Sequence, residues 1–539
     1  MSTDGTDRAG TPESTKASGN DRSGRAATVV GAGIMLSRIS GLVRGRVFSQ
    51  YFGLSMEGDA FFAASKIPNI MRSLFGEGAL SASFVPVYSR MLAKGDEKAA
   101  NALAGAILGL LMASVSVLTL VGILAAPFLT TIFTVFFEGE KRDLTIRLTR
   151  ILFPMTALMV LSGWCLGIQN SHRKFFWSYA SAAMWNVAQI VLLFGWGSRA
   201  QSMQQLAVWL AWATLAGSLL QVAAQMPQVL KLYRPFRISL DRTAAGVPET
   251  LRNVVPVVFA LGVVQISGLI DLQIAGLLPD GSFSSLSNAN NVVLLPVALF
   301  GISVAAASLP EFSREDPTTG AGALLERLRG GWQRILFYII PSAAACIVYG
   351  DLIVGLLFRG GKFGGAEQQL VHAVLAAYAV GLVSYGSVKL LSSVHYALQD
   401  YKTPLRASVA SLVTSAIIAL VCVWPFRTSM YGAVGIALGS AIGSYVNLAV
   451  QVRGLRGRLG ALYTAAMWTG TRRIIVATLA AALAAAPLRF WLGSDRPLVA
   501  APPTLAAFGI TYLVVAWLMG SGEAARWLRR PVRGGAKAS

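Results

Sequence analysis

Acidic residues, histidine and cysteine are all scarce in this chain. Asp and Glu together number 25 against 46 Lys and Arg, and charged residues make up 13% of a 539-residue sequence that is 54% hydrophobic. So little charge spread over so much apolar sequence excludes an ordinary soluble enzyme and points to a polytopic membrane protein. The cysteines, Cys165, Cys346 and Cys422, lie far apart in apolar stretches. That spacing excludes a disulfide framework and a metal-binding thiol cluster, leaving them as small core residues. His172, His372 and His395 are equally scattered, so no zinc site is expected. Residues 1–26 lack apolar periodicity and read as a disordered tail rather than a cleavable signal peptide.

What is abundant is apolar runs long enough to span a bilayer. They fall near 28–52, 59–90, 99–127, 144–170, 175–197, 203–230, 251–278, 284–312, 333–357, 367–397, 404–425, 431–452, 471–492 and 501–520, about fourteen transmembrane helices. A net charge of +21 would suggest nucleic acid in a soluble protein. Here the basic residues alternate between loops. Arg90, Lys94 and Lys98 fall in one, Arg173 and Lys174 in the next but one, then Lys231, Arg234 and Arg237, while Tyr51 to Gly58 and Pro279 to Ser285 contain none. That alternation predicts both termini in the cytoplasm and removes nucleic acid as a partner.

An internal repeat is also legible. Leu74-Phe75-Gly76 through Ala82-Ser83, Pro86 and Ser89-Arg90 resembles Leu299-Phe300-Gly301 through Ala307-Ser308, Pro310 and Ser313-Arg314. It predicts an all-α polytopic membrane protein with two six-helix lobes around a central cavity and two further C-terminal helices. The expected division is a cytoplasmic tail over 1–26, an N-lobe over 27–231, a C-lobe over 247–456, an accessory helix pair over 470–520 and a basic cytoplasmic tail over 521–539.

Arg38, Arg44 and Arg72 fall where the first two spans are expected. An arginine at the bilayer centre costs roughly 2.5–3.5 kcal/mol, so a helix that carries several faces water, an anion or protein. Arg38 and Arg44 lie about 240° apart on an ideal helix. Both face one cavity only if the helix bends or the cavity wraps around it. The alternative is that the helix ends near Ser37 and the arginines snorkel to headgroups. Pro68, Gly76, Gly78 and Pro86 are expected to break helices beside the cavity, with plain packing glycines as the equal alternative. Glu138, Glu140 and Asp143 beside Lys141 and Arg142 read as a solvated cluster, which argues against the catalytic outer loop that a polyprenyl-dependent glycosyltransferase would need.

The segment from Ser37 to Arg90 resembles the MurJ/MviN family of lipid II flippases in the MOP transporter superfamily. The matching residues are Ser37-Arg38, Gly41 and Arg44, then Gly58-Asp59-Ala60-Phe61-Phe62, Lys66-Ile67-Pro68-Asn69 with Arg72, and Phe75-Gly76-Glu77-Gly78-Ala79. Weaker echoes continue through Leu309-Pro310-Glu311 and Arg359-Gly360-Gly361-Lys362-Phe363 to Thr403-Pro404. The resemblance implies a transporter, not an enzyme, that carries an undecaprenyl-diphosphate-linked peptidoglycan precursor from the inner to the outer leaflet of the bacterial cytoplasmic membrane by alternating access. It implies that Arg38, Arg44 and Arg72 line the cavity, where their planar, permanently charged forks suit a diphosphate.

By the same resemblance Asp59 and Glu77 serve charge balance or switching, with a plain structural pairing as the alternative. Asp271 matches an acidic position that binds sodium in some members, but its expected companions in the eleventh helix read here as Ser415 and Ala419. Asp271 is therefore left between a sodium ion, a proton and a basic partner, for which Lys389 is the candidate. No cofactor is implied; coupling to membrane potential, H+ or Na+ is open. Where the family places an arginine in the eighth helix, this chain has Asn291, which can donate a hydrogen bond to phosphate but supplies no charge. A related exporter of another polyprenyl-linked glycan, or a non-transporting scaffold for cell-wall synthesis proteins, remains the alternative.

Overall fold

The computed structural model describes residues 33, 35–302, 304, 321–493 and 496–528. Among them every named element is helical, and the only β pairing is an isolated bridge between Gly360 and Phe363. The first half comprises α1 (35–52), α2 (Met56–Phe75), α3 (Glu77–Ala93), α4 (Glu97–Leu124), α5 (Ala126–Phe133), α6 (Gly139–Ser171), α7 (Phe175–Ala180), α8 (Ala182–Trp196) and α9 (Met203–Leu232). The second comprises α10 (Val247–Ala275), α11 (Ser282–Pro296), α12 (Ala321–Val348), α13 (Gly350–Phe358), α14 (Gly365–Val380), α15 (Leu382–Ala397), α16 (Lys402–Val423) and α17 (Gly432–Leu459). It ends in α18 (Ala465–Leu492), α19 (Pro497–Leu518) and α20 (Gly522–Leu528).

Among the described residues ten helices are long and apolar enough to cross a membrane, and α14–α15, bent by 41°, makes up to eleven. The fourteen spans expected from the apolar runs are not reached by this measure. Charge explains two of the shortfalls. The helix α1 carries Arg38, Arg44 and Arg46, and α2 carries Glu57, Asp59, Lys66 and Arg72. The seventh run is helical as α10, with several side chains outside the described set. The helix α1 continues through Ser37 instead of ending there.

Of the four expected helix breaks, the chain uses Gly76. Pro68 and Pro86 lie inside α2 and α3, as membrane helices tolerate. The Gly76 amide bonds the Arg72 carbonyl at 2.8 Å. A Cβ at Gly76 would stand 2.6 Å from that carbonyl oxygen, so the α2–α3 junction admits only glycine. In the second copy of the repeat, Leu299-Phe300-Gly301 falls in a π-helical stretch, Val297–Ile302. Both copies therefore depart from α-helical bonding at the same motif. The rest of the second copy, Ala307 to Arg314, lies outside the described residues.

The backbone divides into two compact units, residues 1–44, 64–127 and 147–262 in one and 45–63, 128–146 and 263–539 in the other. The first is packed around Phe84, Tyr88, Leu103, Trp164, Tyr233 and their neighbours. Trp164 Nε1 donates to the Ala104 carbonyl at 3.2 Å, tying α6 to α4. Gln225 on α9 donates to Ser162 at 2.7 Å and Ser181 at 2.8 Å. The second unit has a larger core that includes Leu272, Phe337, Tyr349, Phe358, Leu390 and Ile436. There α16 and α17 pack through small residues: Gly435 meets Cys422, Gly439 meets Ala419, and Gly443 meets Ser415.

Candidate functional site

The arginines of the first unit sit in unlike surroundings. Arg38 is exposed on α1. Arg44 is half-buried, with its guanidinium carbon 4.8 Å above the Trp185 ring of α8. Cation–π contact lets an arginine stay charged in apolar surroundings while its edge N–H groups remain available. Beside it, Asn186 Nδ2 donates to Ser40 Oγ at 2.9 Å, so a polar bond fixes α8 against α1 one turn from Arg44. Arg72 is half-buried in the last turn of α2, where its carbonyl receives the Gly76 bond. Glu77 begins α3, and its side chain lies outside the described residues.

The most completely bonded of the expected residues is Asp59, in the second unit. Its Oδ1 accepts from the backbone N–H and the hydroxyl of Ser284, both at 2.7 Å. Its Oδ2 accepts from the Gly281 N–H and from Lys141 Nζ, both at 2.9 Å. Gly281 occupies the N-cap position of α11 with φ of 88° and offers no side chain to cap it. Asp59 supplies the missing cap from α2, and its charge faces the positive end of the α11 dipole. Lys141 also reaches Asp280 at 2.9 Å and lies 4.2 Å from the Phe137 ring centroid. The Asp59 side chain is 1% exposed and that of Lys141 10%, whereas Asp280 is 57% exposed. Lys141 is thus buried in an ion pair instead of belonging to a solvated cluster.

A second clasp in this unit holds the end of α1. Arg46 donates to the carbonyls of Leu356 at 2.5 Å and Arg359 at 3.1 Å, capping the C-terminus of α13. The Lys362 N–H donates to the Gln50 carbonyl at 2.9 Å. Gly361, with φ of 55°, comes so close to that carbonyl that a Cβ would stand 2.3 Å from its oxygen. The Arg359-Gly360-Gly361-Lys362-Phe363 motif is accordingly the turn on which α1 docks.

The remaining expected residues are spread over the second unit. Asn291 is exposed on α11. Asp271 is half-buried on α10, within electrostatic reach of Tyr378 and Tyr385, which flank the α14–α15 bend. Lys389 is exposed on α15 and forms no ion pair among the described residues. Ser415 and Ala419 lie against the glycines of α17. Among the described residues no three His, Cys, Asp or Glu side chains gather closely enough to hold a metal.

Residues 48–493 match the family model described as lipid II flippase MurJ. The chain belongs to the lipid II flippase MurJ family. The family model begins within α1, after Arg38 and Arg44, and includes Asp59, Arg72, Lys141 and Asn291. The lipid II flippase MurJ of Burkholderia cenocepacia is 30% identical over 515 residues, covering 92% of this chain and 97% of the relative. A probable lipid II flippase MurJ of Vibrio cholerae is 30% identical over 436 residues, covering 79% and 82%. A solved lipid II flippase MurJ in an inward closed conformation shares the fold, with a TM-score of 0.75 at 22% identity over 93% of this chain and 100% of that one. An inward-facing multidrug transporter of the MATE family, in the MOP superfamily, shares it at a TM-score of 0.63 and 17% identity over 81% and 98%. The chain is therefore an all-α, multi-pass membrane protein of a bacterial flippase family.

Within this MurJ-family chain, sequence reasoning overlooked Lys141, Arg46 and Ser284. Lys141 lies 82 positions from Asp59 and is flanked by charges that disguise it. Arg46 lies 310 positions from the carbonyl it caps. The usable signal was Gly281, a helix start with no capping side chain of its own, which needs a carboxylate from elsewhere.

Proposed function

We propose that this chain flips lipid II, the undecaprenyl-diphosphate-linked peptidoglycan precursor, from the inner to the outer leaflet of the bacterial cytoplasmic membrane. The observation that carries this reading is the family match across residues 48–493. The arginines give it a mechanism. A lipid diphosphate must be held in a medium where water cannot solvate it, and Arg44, half-buried over Trp185, offers a guanidinium that stays protonated and charged at physiological pH. Arg38 and Arg72 share the load, and Asn291 donates a neutral hydrogen bond. The two six-helix lobes alternate access, both termini lie in the cytoplasm as the basic loops require, and α18–α19 accommodate the lipid tail.

In this mechanism Asp59, Lys141, Asp280 and the start of α11 form a latch that is made in one state and broken in the other. Four of its bonds converge on the Asp59 carboxylate, so a single displacement of α2 releases those four and leaves only the Lys141–Asp280 pair. Asp271 with Tyr378 and Tyr385 is the place where a coupling proton would be held, in keeping with the packed surroundings of Ser415 and Ala419.

The test is complementation of a strain depleted of its own lipid II flippase, alongside flipping of a fluorescent lipid II in proteoliposomes. Rescue by the wild type, with loss in Arg44→Ala and Arg72→Ala, is expected. A wild type that reaches the membrane yet neither rescues nor flips would refute the reading. Asn291→Arg tests whether the missing charge limits the rate.

A further inference from the structure

The connection between α9 and α10 runs through the first unit as an extended strap, residues 233–242, laid along α4. Asn101 Nδ2 on α4 donates to the Arg234 carbonyl at 2.7 Å, and the Ser239 N–H donates to the Gly105 carbonyl at 3.1 Å. Between these anchors the Tyr233 hydroxyl donates to the Arg237 carbonyl. The bed of the strap is Gly105-Ala106-Ile107-Leu108-Gly109. A Cβ at Gly105 would collide with the Arg237 carbonyl oxygen, and one at Gly109 with that of Ser239. Two glycines four apart on a spanning helix usually admit a second helix. Here they admit the strap, which belongs to neither the arginine site nor the latch.

The outer side of the strap is apolar and its edges are basic. Phe236, Ile238 and Leu240 alternate, so they share one side of the extended chain, and they are 41%, 61% and 63% exposed. Lys231, Arg234, Arg237 and Arg242 surround them, exposed and in no ion pair among the described residues. The acids nearby do not cancel these charges. Asp241 is engaged by the N–H and hydroxyl of Thr243 at 2.8 and 2.6 Å, Asp96 caps α4, and Glu249 pairs with Arg90. Glu97 has Lys98 beside it.

The depth of the strap follows from α4. A span needs about 20 residues, and counted back from the apolar end of α4 at Leu124 they reach Gly105. Glu97, Lys98 and Asn101 then stand outside the hydrocarbon. The strap meets α4 at the boundary between headgroups and acyl chains, with Ser239, against Gly109, one turn inside it. Ser116 and Leu120 fall within about 20° of Gly109 around the helix and are exposed, so the same face continues inward as open surface.

We propose that the strap is a binding surface for anionic phospholipid. Phe236, Ile238 and Leu240 lie among the upper acyl carbons, while Arg234, Arg237 and Arg242 extend their stems to the phosphates. The apolar side sets the depth, and the basic residues set the preference for a lipid of net negative charge. Lipid held there clamps the α9–α10 connection in its groove on α4. The proposal rests on α4 spanning the bilayer and needs no flipping.

The experiment places the photo-reactive residue p-benzoylphenylalanine at position 238 of the full chain, in liposomes of equal phosphatidylglycerol and phosphatidylcholine. After irradiation, mass spectrometry is expected to find lipid adducts, with phosphatidylglycerol over phosphatidylcholine by about tenfold or more. Arg237→Gln combined with Arg242→Gln removes two side chains that have no ion pair to lose, so folding is spared. It is expected to lower that ratio by at least about fivefold. The same photo-reactive residue at position 120, deeper on α4, is the control and should label both lipids alike. Equal labelling of the two lipids at position 238, or an unchanged ratio in the double variant, overturns the proposal. So does a cross-linked dimer, which would make the strap an interface between copies. Labelling at position 120 with none at 238 would put the strap in water and overturn it as well. Loss of flipping with the adducts intact would count against the proposed function alone.

Discussion

Asp59 caps a helix more than two hundred residues away: its Oδ1 receives both the N–H and the hydroxyl of Ser284 at 2.7 Å. The same carboxylate neutralises Lys141, so one side chain satisfies a helix terminus and a buried cation together. Asp59→Asn keeps the shape and the acceptor toward Ser284, but turns an amide toward the N–H of Gly281 and the ammonium of Lys141. Breaking a buried pair in this way costs about 3–5 kcal/mol. The latched state should lose that stability, read as faster hydrogen exchange over residues 281–285 and a lower unfolding temperature in detergent. Unchanged exchange there would remove the latch from the mechanism.

Lys141 and Asp59 should also be thermodynamically coupled. Lys141→Met retains the apolar stem against Phe137 while removing the charge. In a double-mutant cycle with Asp59→Asn, the two losses are expected to be less than additive by about 1–3 kcal/mol. Additive losses would mean that the ion pair contributes nothing beyond packing.

Trp185 should set how strongly Arg44 holds a diphosphate. Removing the ring with Trp185→Leu forfeits a cation–π contact worth about 0.5–2 kcal/mol, a factor of about 2–30. Flipping should fall within that range, with a smaller loss in Trp185→Phe, which keeps an aromatic face. Equal rates in the two variants would show that the ring serves packing only.

Asp400 predicts an acid-labile loop between α15 and α16. Burial opposes its ionisation, but the Thr403 hydroxyl and N–H, His395 and Arg458 outweigh it and hold its pKa at about 2, below an ordinary 3.8. A carboxylate whose pKa is lowered by folding adds stability that is complete above its unfolded value and is lost as pH falls through its folded value. The window is therefore pH 4 down to pH 2. Thermal unfolding in detergent should show wild type losing its advantage over Asp400→Asn across that window, and the two curves should run parallel above pH 5.

Much of this fold was legible in the sequence because a bilayer leaves few options for the backbone. Apolar length located the helices, intramembrane charge singled out Arg44, and the family resemblance singled out Asp59 before any contact was known. What escaped was decided by partners far along the chain. Nothing local to Glu138-Gly139-Glu140-Lys141 shows that Lys141 is buried while its acidic neighbours are not; Asp59 and Phe137 decide it. The charged helices α1 and α2 failed the apolar test for spans because α1 carries Arg38, Arg44 and Arg46 and α2 carries Glu57, Asp59, Lys66 and Arg72. Pro68 and Pro86 were expected to break helices and did not, since a proline costs one bond that neighbouring groups can replace. Gly76 broke one because its lack of Cβ allows a close approach that no other residue permits.

That close approach makes Gly76 the most direct test of the helix junction. In Gly76→Ala the new methyl would stand 2.6 Å from the Arg72 carbonyl oxygen, which backbone cannot yield without moving the end of α2. Overpacking of this kind costs about 1–3 kcal/mol. The larger consequence is positional, because the same carbonyl belongs to the arginine assigned to the diphosphate. Gly76→Ala should therefore reduce flipping more than a change of that size in stability explains, with membrane expression retained. Gly78→Ala, two residues on and inside the regular part of α3, serves as the control and should flip at close to the wild-type rate. Equal defects in the two variants would assign the effect to general packing and leave the position of Arg72 without a role.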